Sequence, residues 1–163
     1  MNTLEALQEQ LTLERTNAAY YRAMADALDN VNWAGSASWM RSAGNDEQGH
    51  ADRVANYLID RNVQPVYGPI EEIPELSGDD LVQYFNAAMA REKDTTAALV
   101  SLYLQAWAEQ DVQTIAFLLN PGDEWPGFIA EQTQSEREIY DILQELNRLD
   151  KCGWKLVDQQ LKK

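Results

Sequence analysis

Cysteine and histidine are almost absent from this chain: Cys152 and His50 are the only ones. A single cysteine excludes an intramolecular disulfide, and its expected role is that of a small buried hydrophobe near the C-terminus. One residue of each kind is also too few for a structural zinc site, which draws mainly on those two types. Prolines number five and glycines eight, with the prolines confined to 65–74 and 121–126, so most of the chain is free to be helical. No apolar run approaches bilayer length, and Met1-Asn2-Thr3-Leu4-Glu5 lacks the basic and apolar regions of a signal peptide; a cytoplasmic protein with no membrane partner is expected. Basic residues are scarce, 13 against 27 acidic, and the net charge is −14. Such a chain repels nucleic acid and anionic membranes and concentrates cations around itself. At 163 residues and 45% hydrophobic content, it has room for one domain, spanning 1–163, with a substantial core.

What the chain does have is helical periodicity. Asn2 with Glu5 forms a capping signal, and behind it Leu4, Leu7, Leu11, Glu14, Ala18, Tyr21, Ala25 and Leu28 recur in steps of three and four, the seam of a bundle helix. After a turn at Asp29-Asn30, a second helix runs from about Trp33 to Arg61 with the seam Met40, Ala43, Glu47, His50, Val54 and Tyr57. From Asn62 to Ser77 the periodicity is lost among Pro65, Gly68, Pro69 and Pro74, which predicts an extended connection. A bundle helix of 28 residues is roughly 42 Å long, and 16 extended residues reach about 50 Å, so this connection can traverse the whole bundle.

Ser77, Asp79 and Asp80 start a third helix with the seam Leu81, Phe85, Ala88, Glu92, Thr95, Leu99, Leu102 and Ala106. A short apolar segment after Asp111 ends at Asn120–Gly127, whose prolines and glycines interrupt any helix. The fourth helix then reads Phe128, Gln132, Ser135, Ile139, Ile142, Leu146 and Leu149, and Gly153 precedes a short amphipathic helix at about 154–163. The predicted fold is all-α: a four-helix bundle over about 3–150, one long crossover between helices two and three, and a short C-terminal fifth helix.

Three carboxylates and the lone imidazole fall on these apolar seams. Glu14, Glu47 and Glu92 each occupy a core position, and His50 follows Glu47 by three residues on the same stripe. An unpaired carboxylate in a core is costly by several kcal/mol, so a partner is required, and a cation is the simplest. Arg15, Arg22, Arg41, Arg53, Arg91 and Lys93 all fall off the seams. Carboxylate oxygens with one imidazole suit iron(II) or manganese. The set has the layout of a dinuclear carboxylate site, one Glu from each of two helices and Glu-x-x-His from a third, but the fourth helix offers only Gln132 and Ser135 in the matching places.

With these residues in place, the sequence resembles the non-haem ferritins along essentially its whole length. The resemblance rests on Glu14 with Tyr21 seven residues later, Glu47-Gln-Gly-His50, the Pro-rich crossover, Glu92, Glu131-Gln132, and the short helix around Leu156-Val157-Asp158. It implies a ferritin-like fold and a ferroxidase that oxidises iron(II) with oxygen or peroxide at a dinuclear centre and stores the ferric product inside a homo-oligomeric cage of 24 subunits. The first iron would be held by Glu14, Glu47 and His50, the second by Glu47 as bridge, Glu92 and Gln132, with Glu131 beside them as a further metal-binding candidate. Tyr21 resembles the family tyrosine that bonds a ligand or supplies an electron; a plain core tyrosine is the alternative. No haem is expected, because bacterioferritins carry a haem-binding methionine where this chain has Gln48.

Two departures from the family accompany the match. Asn120–Gly127 is longer than the usual approach to the fourth helix, and by resemblance Asp123 and Glu124 are candidate pore acids. On the second helix Asp46 and Asp52 match acids that the family presents to its cavity, whereas Gly49 does not. Two other readings stay open. A diiron oxidase or peroxidase acting on another substrate would show a sizeable cavity beside Glu47, and a helical interaction module would bind no metal at all.

Overall fold

The structure is a computed structural model and describes residues 2–119 and 125–162. The candidate pore acids Asp123 and Glu124 lie outside the described residues. Six helices are present among them: α1 Thr3–Asn30, α2 Ala34–Asp60, α3 Leu81–Ala108, α4 Val112–Leu119, α5 Phe128–Arg148 and α6 Trp154–Gln160. No described helix is long and apolar enough to cross a membrane.

The helix boundaries follow local chemistry. At the start of α1 the Asn2 side chain accepts from the Glu5 backbone N–H at 2.9 Å and the Glu5 carboxylate accepts from the Asn2 N–H at 2.8 Å, satisfying two donors that a helix start leaves free. The turn after α1 comes slightly later than Asp29-Asn30, at Val31–Asn32, where Asn32 takes the left-handed conformation (φ 65°) that asparagine tolerates. Asp80 caps α3 by accepting from the Val82 N–H at 3.0 Å.

α1 packs chiefly on α2, and α3 on α5. Thr3 donates through N and Oγ1 to Glu109 Oε2, at 3.1 and 2.7 Å, which ties the start of α1 to the end of α3. At the opposite end Trp33 Nε1 donates to the Asp79 carbonyl at 3.0 Å. The segment between α2 and α3 therefore traverses the bundle, and it is fastened to α1 along the way. Gln8 bonds the backbone of Gln64 and Val66, and Arg15 donates to the Gly68 carbonyl at 2.8 Å.

The fourth rod is divided. α4 and α5 run head to tail, and Gly127 between them has φ 86° with the Leu118 and Leu119 carbonyls so near that a Cβ would sit about 3.2–3.3 Å from them. Glycine meets both demands. At the C-terminus Gly153 precedes α6, which docks on the bundle through buried Val157 while Leu156 faces outward. Asp158 accepts from the Ser36 N–H at 2.7 Å and the Gly35 N–H at 3.2 Å, capping the start of α2, whose own cap residue Trp33 has no side-chain acceptor. The approach is so close that a Cβ on Gly35 would overlap the Asp158 carbonyl. Cys152 is exposed, contrary to the burial expected of it, because it falls in the turn between α5 and α6 where no apolar layer reaches it.

The core has two apolar lobes. One gathers Tyr21, Met24, Leu28, Met40, Phe85 and Ile139 with Val157 of α6; the other gathers Leu7, Leu11, Val54, Leu58, Leu99, Leu118 and Phe128. Between them lies a buried polar layer of Glu14, Asn17, Glu47, His50, Glu92, Thr95 and Gln132.

Candidate metal centre

Helix geometry delivers these side chains to one level. On α1, Gln10, Glu14, Asn17 and Tyr21 follow at steps of four, three and four, one inward stripe. Here the structure shifts the expected seam: Asn17 is buried and Ala18 only partly so. α2 supplies Glu47 and His50, α3 supplies Glu92 and Thr95, and α5 supplies Gln132 with Glu131 beside it. Glu14 is fully buried, Glu92 is 3% exposed and Glu47 4%. Three acids have been taken from water into one layer.

The α1/α2 side is polar and incomplete. Glu14 Oε1 accepts from Gln10 Nε2 at 2.6 Å, but Glu14 Oε2 is buried with no hydrogen-bond partner among the described residues. His50 Nδ1 faces it at 3.7 Å and faces Glu47 Oε2 at 3.8 Å. Glu14, Glu47 and His50 each offer one ligand atom, and the three atoms lie within 4.8 Å of one another. On the far side of the ring, His50 Nε2 stands 3.2 Å from Glu131 Oε2, and Trp125 Nε1 also donates to that carboxylate. Glu131 thus holds the imidazole from behind, the arrangement by which ligating histidines are oriented, and does not join the three clustered ligand atoms.

The α3/α5 side is closed. Glu92 Oε1 accepts from the Tyr21 hydroxyl, and Glu92 Oε2 accepts from Gln132 Nε2 at 2.5 Å. Gln132 Nε2 also reaches the Glu92 carbonyl at 3.0 Å. Tyr21 is therefore both a core residue, edge-on to Trp39 with ring centroids 6.3 Å apart, and a donor to a site carboxylate. Ser135 lines the same cavity without entering the Glu92 cluster.

Burial and mutual proximity set the electrostatics of the layer. Burial, then the charge of Glu14, raises Glu47 above the usual carboxylate range, with His50 opposing. Burial and Glu47 push Glu92 up to about 7, against the bonds from Tyr21 and Gln132. Burial alone would lower His50, yet the adjoining Glu131 carboxylate, with Glu14 and Glu47 facing the other side of the ring, outweighs it and pushes the imidazole up to about 12. Burial also works against ionised Glu131, but His50, Trp125 and Arg53 hold its carboxyl below the usual range. Burial and Glu92 together raise the Tyr21 phenol well above its usual value. A protonated imidazole in the midst of carboxylates stands where a metal cation fits, and cation binding would release that proton.

A cavity of about 80 Å³ opens onto Tyr21, Glu47, His50, Glu92, Glu131 and Ser135 and reaches outward past Asp46 and Glu138. Pockets for organic ligands run to roughly 300–1,000 Å³, so this one suits ions and waters. The other exposed acid from the sequence reading, Asp52, accepts from Gln48 Nε2 at 3.0 Å.

Sequence reasoning missed the residues around the ligands. Gln10 and Asn17 were legible in principle, since they continue the α1 stripe through Glu14. Arg91 was set aside for lying off the seam, and it does, but its guanidinium reaches Asn17 Oδ1 at 2.7 and 3.0 Å. Nothing local marks Trp125 as a donor to Glu131.

Four antiparallel rods with one long crossover, enclosing a buried layer of carboxylates and one histidine, define the class of ferritin-like four-helix bundles. The chain belongs to the ferritin family: the ferritin-like domain model matches residues 4–149. It is similar to the bacterial non-haem ferritin of Bacteroides fragilis, 28% identical over 156 residues that cover 96% of this chain and 93% of that one. A non-haem ferritin of Staphylococcus haemolyticus is 29% identical over 151 residues, covering 92% and 86%. Among solved structures, the open-pore ferritin of the archaeon Archaeoglobus fulgidus superposes with a TM-score of 0.89 at 26% identity, covering 98% of this chain and 95% of that one.

Proposed function

We propose that this protein is an iron-storage ferritin with ferroxidase activity, a single ferritin-like domain whose polar layer binds iron(II) as substrate. The first ion lies among Glu14, Glu47 and His50. The second lies between Glu47, Glu92 and Gln132, with Glu47 as bridge. The observation that carries this reading is Glu14 Oε2, a buried carboxylate oxygen without a hydrogen-bond partner among the described residues, turned toward His50 and Glu47. A site left in that condition is costly unless a cation completes it.

Each iron(II) gives up one electron, so two ions together reduce one oxygen molecule to hydrogen peroxide with uptake of two protons, or one hydrogen peroxide to two waters. The chain supplies the setting. Glu131 holds the imidazole so that Nδ1 faces the ion, Gln10 and Asn17 fix two of the carboxylates, and Tyr21 and the Gln132 amide nitrogen hold Glu92 until a cation breaks those hydrogen bonds. The proton on His50 leaves as the ion arrives, and the acidic surface raises the local cation concentration.

Storage requires a cage, and by family likeness we propose a cytoplasmic homo-oligomer of 24 copies, with the exposed Leu156 face of α6 turned to neighbouring subunits around a four-fold axis. Light scattering on the purified protein checks this: a particle of several hundred kilodaltons is expected, and a monomer or dimer refutes the cage. Aerobic addition of iron(II) is expected to give rapid oxidation with retention of ferric iron by the particle. The small cavity disfavours an oxidase acting on an organic substrate, and the orphaned carboxylate disfavours a metal-free interaction module.

A further inference from the structure

Arg91 lies outside the metal-binding layer and is wired into it. It pairs with Glu71 of the crossover at 3.1 Å and sits over the Tyr20 ring, 5.4 Å from its centroid. Its Nε and Nη2 donate to Asn17 Oδ1 at 3.0 and 2.7 Å. A guanidinium has donors and no acceptor, so the end of the Asn17 amide that faces Arg91 has to be the carbonyl. The amide nitrogen is thereby turned into the layer. There Asn17 Nδ2 donates to Thr95 Oγ1 at 2.8 Å and to Glu47 Oε2 at 3.2 Å. Thr95 has its own proton committed to the Arg91 carbonyl at 3.1 Å, which leaves its lone pairs for Asn17. The Glu47 oxygen held in this way is the one that faces His50 Nδ1.

We propose that Arg91 and Asn17 form a positioning relay that sets the orientation of the Glu47 carboxylate; the inference rests on the metal-centre reading above. The relay has two consequences. It pins one oxygen of Glu47 from behind, which limits rotation of the one carboxylate that both ions would share. It also brings a hydrogen bond to that carboxylate while keeping the arginine charge away from incoming cations, because a neutral amide stands between and Glu71 faces the guanidinium on the crossover side. The crossover is thus joined to the centre through three side chains.

Cobalt(II) tests the relay, since its visible bands report ligand geometry without any turnover. The full-length assembled protein would be titrated in six forms: parent, Glu47→Ala, Asn17→Leu, Arg91→Met, Arg91→Lys and the double variant Asn17→Leu with Arg91→Met. Outer partners of metal ligands typically contribute 10- to 100-fold in affinity, and a loss of roughly that size is expected for Asn17→Leu, with altered cobalt bands. Arg91→Met is expected to shift both in the same direction by a smaller factor, and Arg91→Lys, which keeps a donor, to recover part of the loss. Acting in series, Asn17→Leu and Arg91→Met combined should lose no more than Asn17→Leu alone. Arg91 is partly exposed, so Arg91→Met carries the test should the Asn17 variant fold poorly. Unchanged cobalt affinity and bands in Arg91→Met, with the parent binding normally, overturn the relay. Equal cobalt binding by the parent and Glu47→Ala overturns the metal-centre reading itself, and the relay with it.

Discussion

In the α1/α2 half of the polar layer an acid is left one hydrogen bond short, whereas in the α3/α5 half the acid has both oxygens occupied. Glu14 and Glu92 are both buried carboxylates at one level of one bundle. Glu14 Oε2 has only a distant imidazole before it, while Glu92 accepts from Tyr21 and Gln132. Neutral donors can hold a buried carboxylate without bringing charge, but they must be displaced before an ion can bind. The open half is poised for a cation and the closed half has to be opened for one. The first ion should therefore bind more tightly than the second, and iron should pass through the centre rather than stay there.

The largest effect is expected from the residue the halves share. Glu47→Ala removes the proposed bridge and should lower the rate of aerobic iron(II) oxidation by at least two orders of magnitude, as followed by absorbance of the ferric product. His50→Ala strips only the open half and should slow oxidation roughly tenfold or more, consistent with loss of one ligand of three. Parent rates in both variants would place the chemistry elsewhere.

Next in size is a change that makes the halves alike. An amide at Gln132 and a hydroxyl at Ser135 stabilise a multivalent cation far less than a carboxylate and an imidazole. Gln132→Glu with Ser135→His should raise affinity at the second site roughly 10- to 100-fold, trap a stable ion pair and slow repeated turnover. Titration of apo protein with iron(II) under nitrogen decides it: two equally tight sites in the parent, with no gain in the double variant, would remove the asymmetry.

The comparison also shows what a sequence does and does not disclose. Glu14, Glu47, His50 and Glu92 were legible because each breaks an apolar seam, and periodicity places a seam residue inside whatever its neighbours do. The crossover was legible because prolines and lost periodicity exclude a helix there. The state of each acid was not, since it depends on partners from other helices. Tyr21 and Glu92 are 71 residues apart, and Gln132 and Glu92 are 40 apart. Asn17 escaped for a smaller reason: a seam phased on Ala18 is off by one residue, and a polar residue beside a seam looks like surface. Glu131 entered with Gln132 through the family resemblance, and its place relative to the imidazole was not legible: neighbours on a helix point about 100° apart, and its Oε2 stands 3.2 Å from His50 Nε2.

Protons and metal ions should compete for the same layer. Glu92 rises from 4.5 when unfolded to about 7 when folded, and His50 from 6.5 to about 12. In each case the folded state binds the proton more tightly. Stability is therefore fullest below the unfolded value and is lost as pH rises through the folded one. For chelator-treated protein, Glu92 predicts a fall in Tm between about pH 4.5 and 7, and His50 a further fall on the alkaline side. Added cobalt(II) should reverse the trend, because ligands bind metal better once deprotonated. A flat Tm across pH 5–8 in the metal-free protein, or the same slope in Glu92→Gln, would contradict it.

The smallest effect sharpens the contrast most. Tyr21→Phe removes one donor from Glu92 Oε1 with little change of shape, so the closed half acquires an orphaned oxygen like that of Glu14. A buried acceptor left without its partner costs about 1–3 kcal/mol, and the metal-free variant should lose stability of that order. In the presence of cobalt(II) the freed oxygen is available to the ion, and most of the loss should disappear. Calorimetric unfolding of parent and variant, each with and without cobalt(II), gives the four values needed. An equal loss in both conditions would mean that the phenol serves the apolar lobe through Trp39 and has no part in keeping the second half closed.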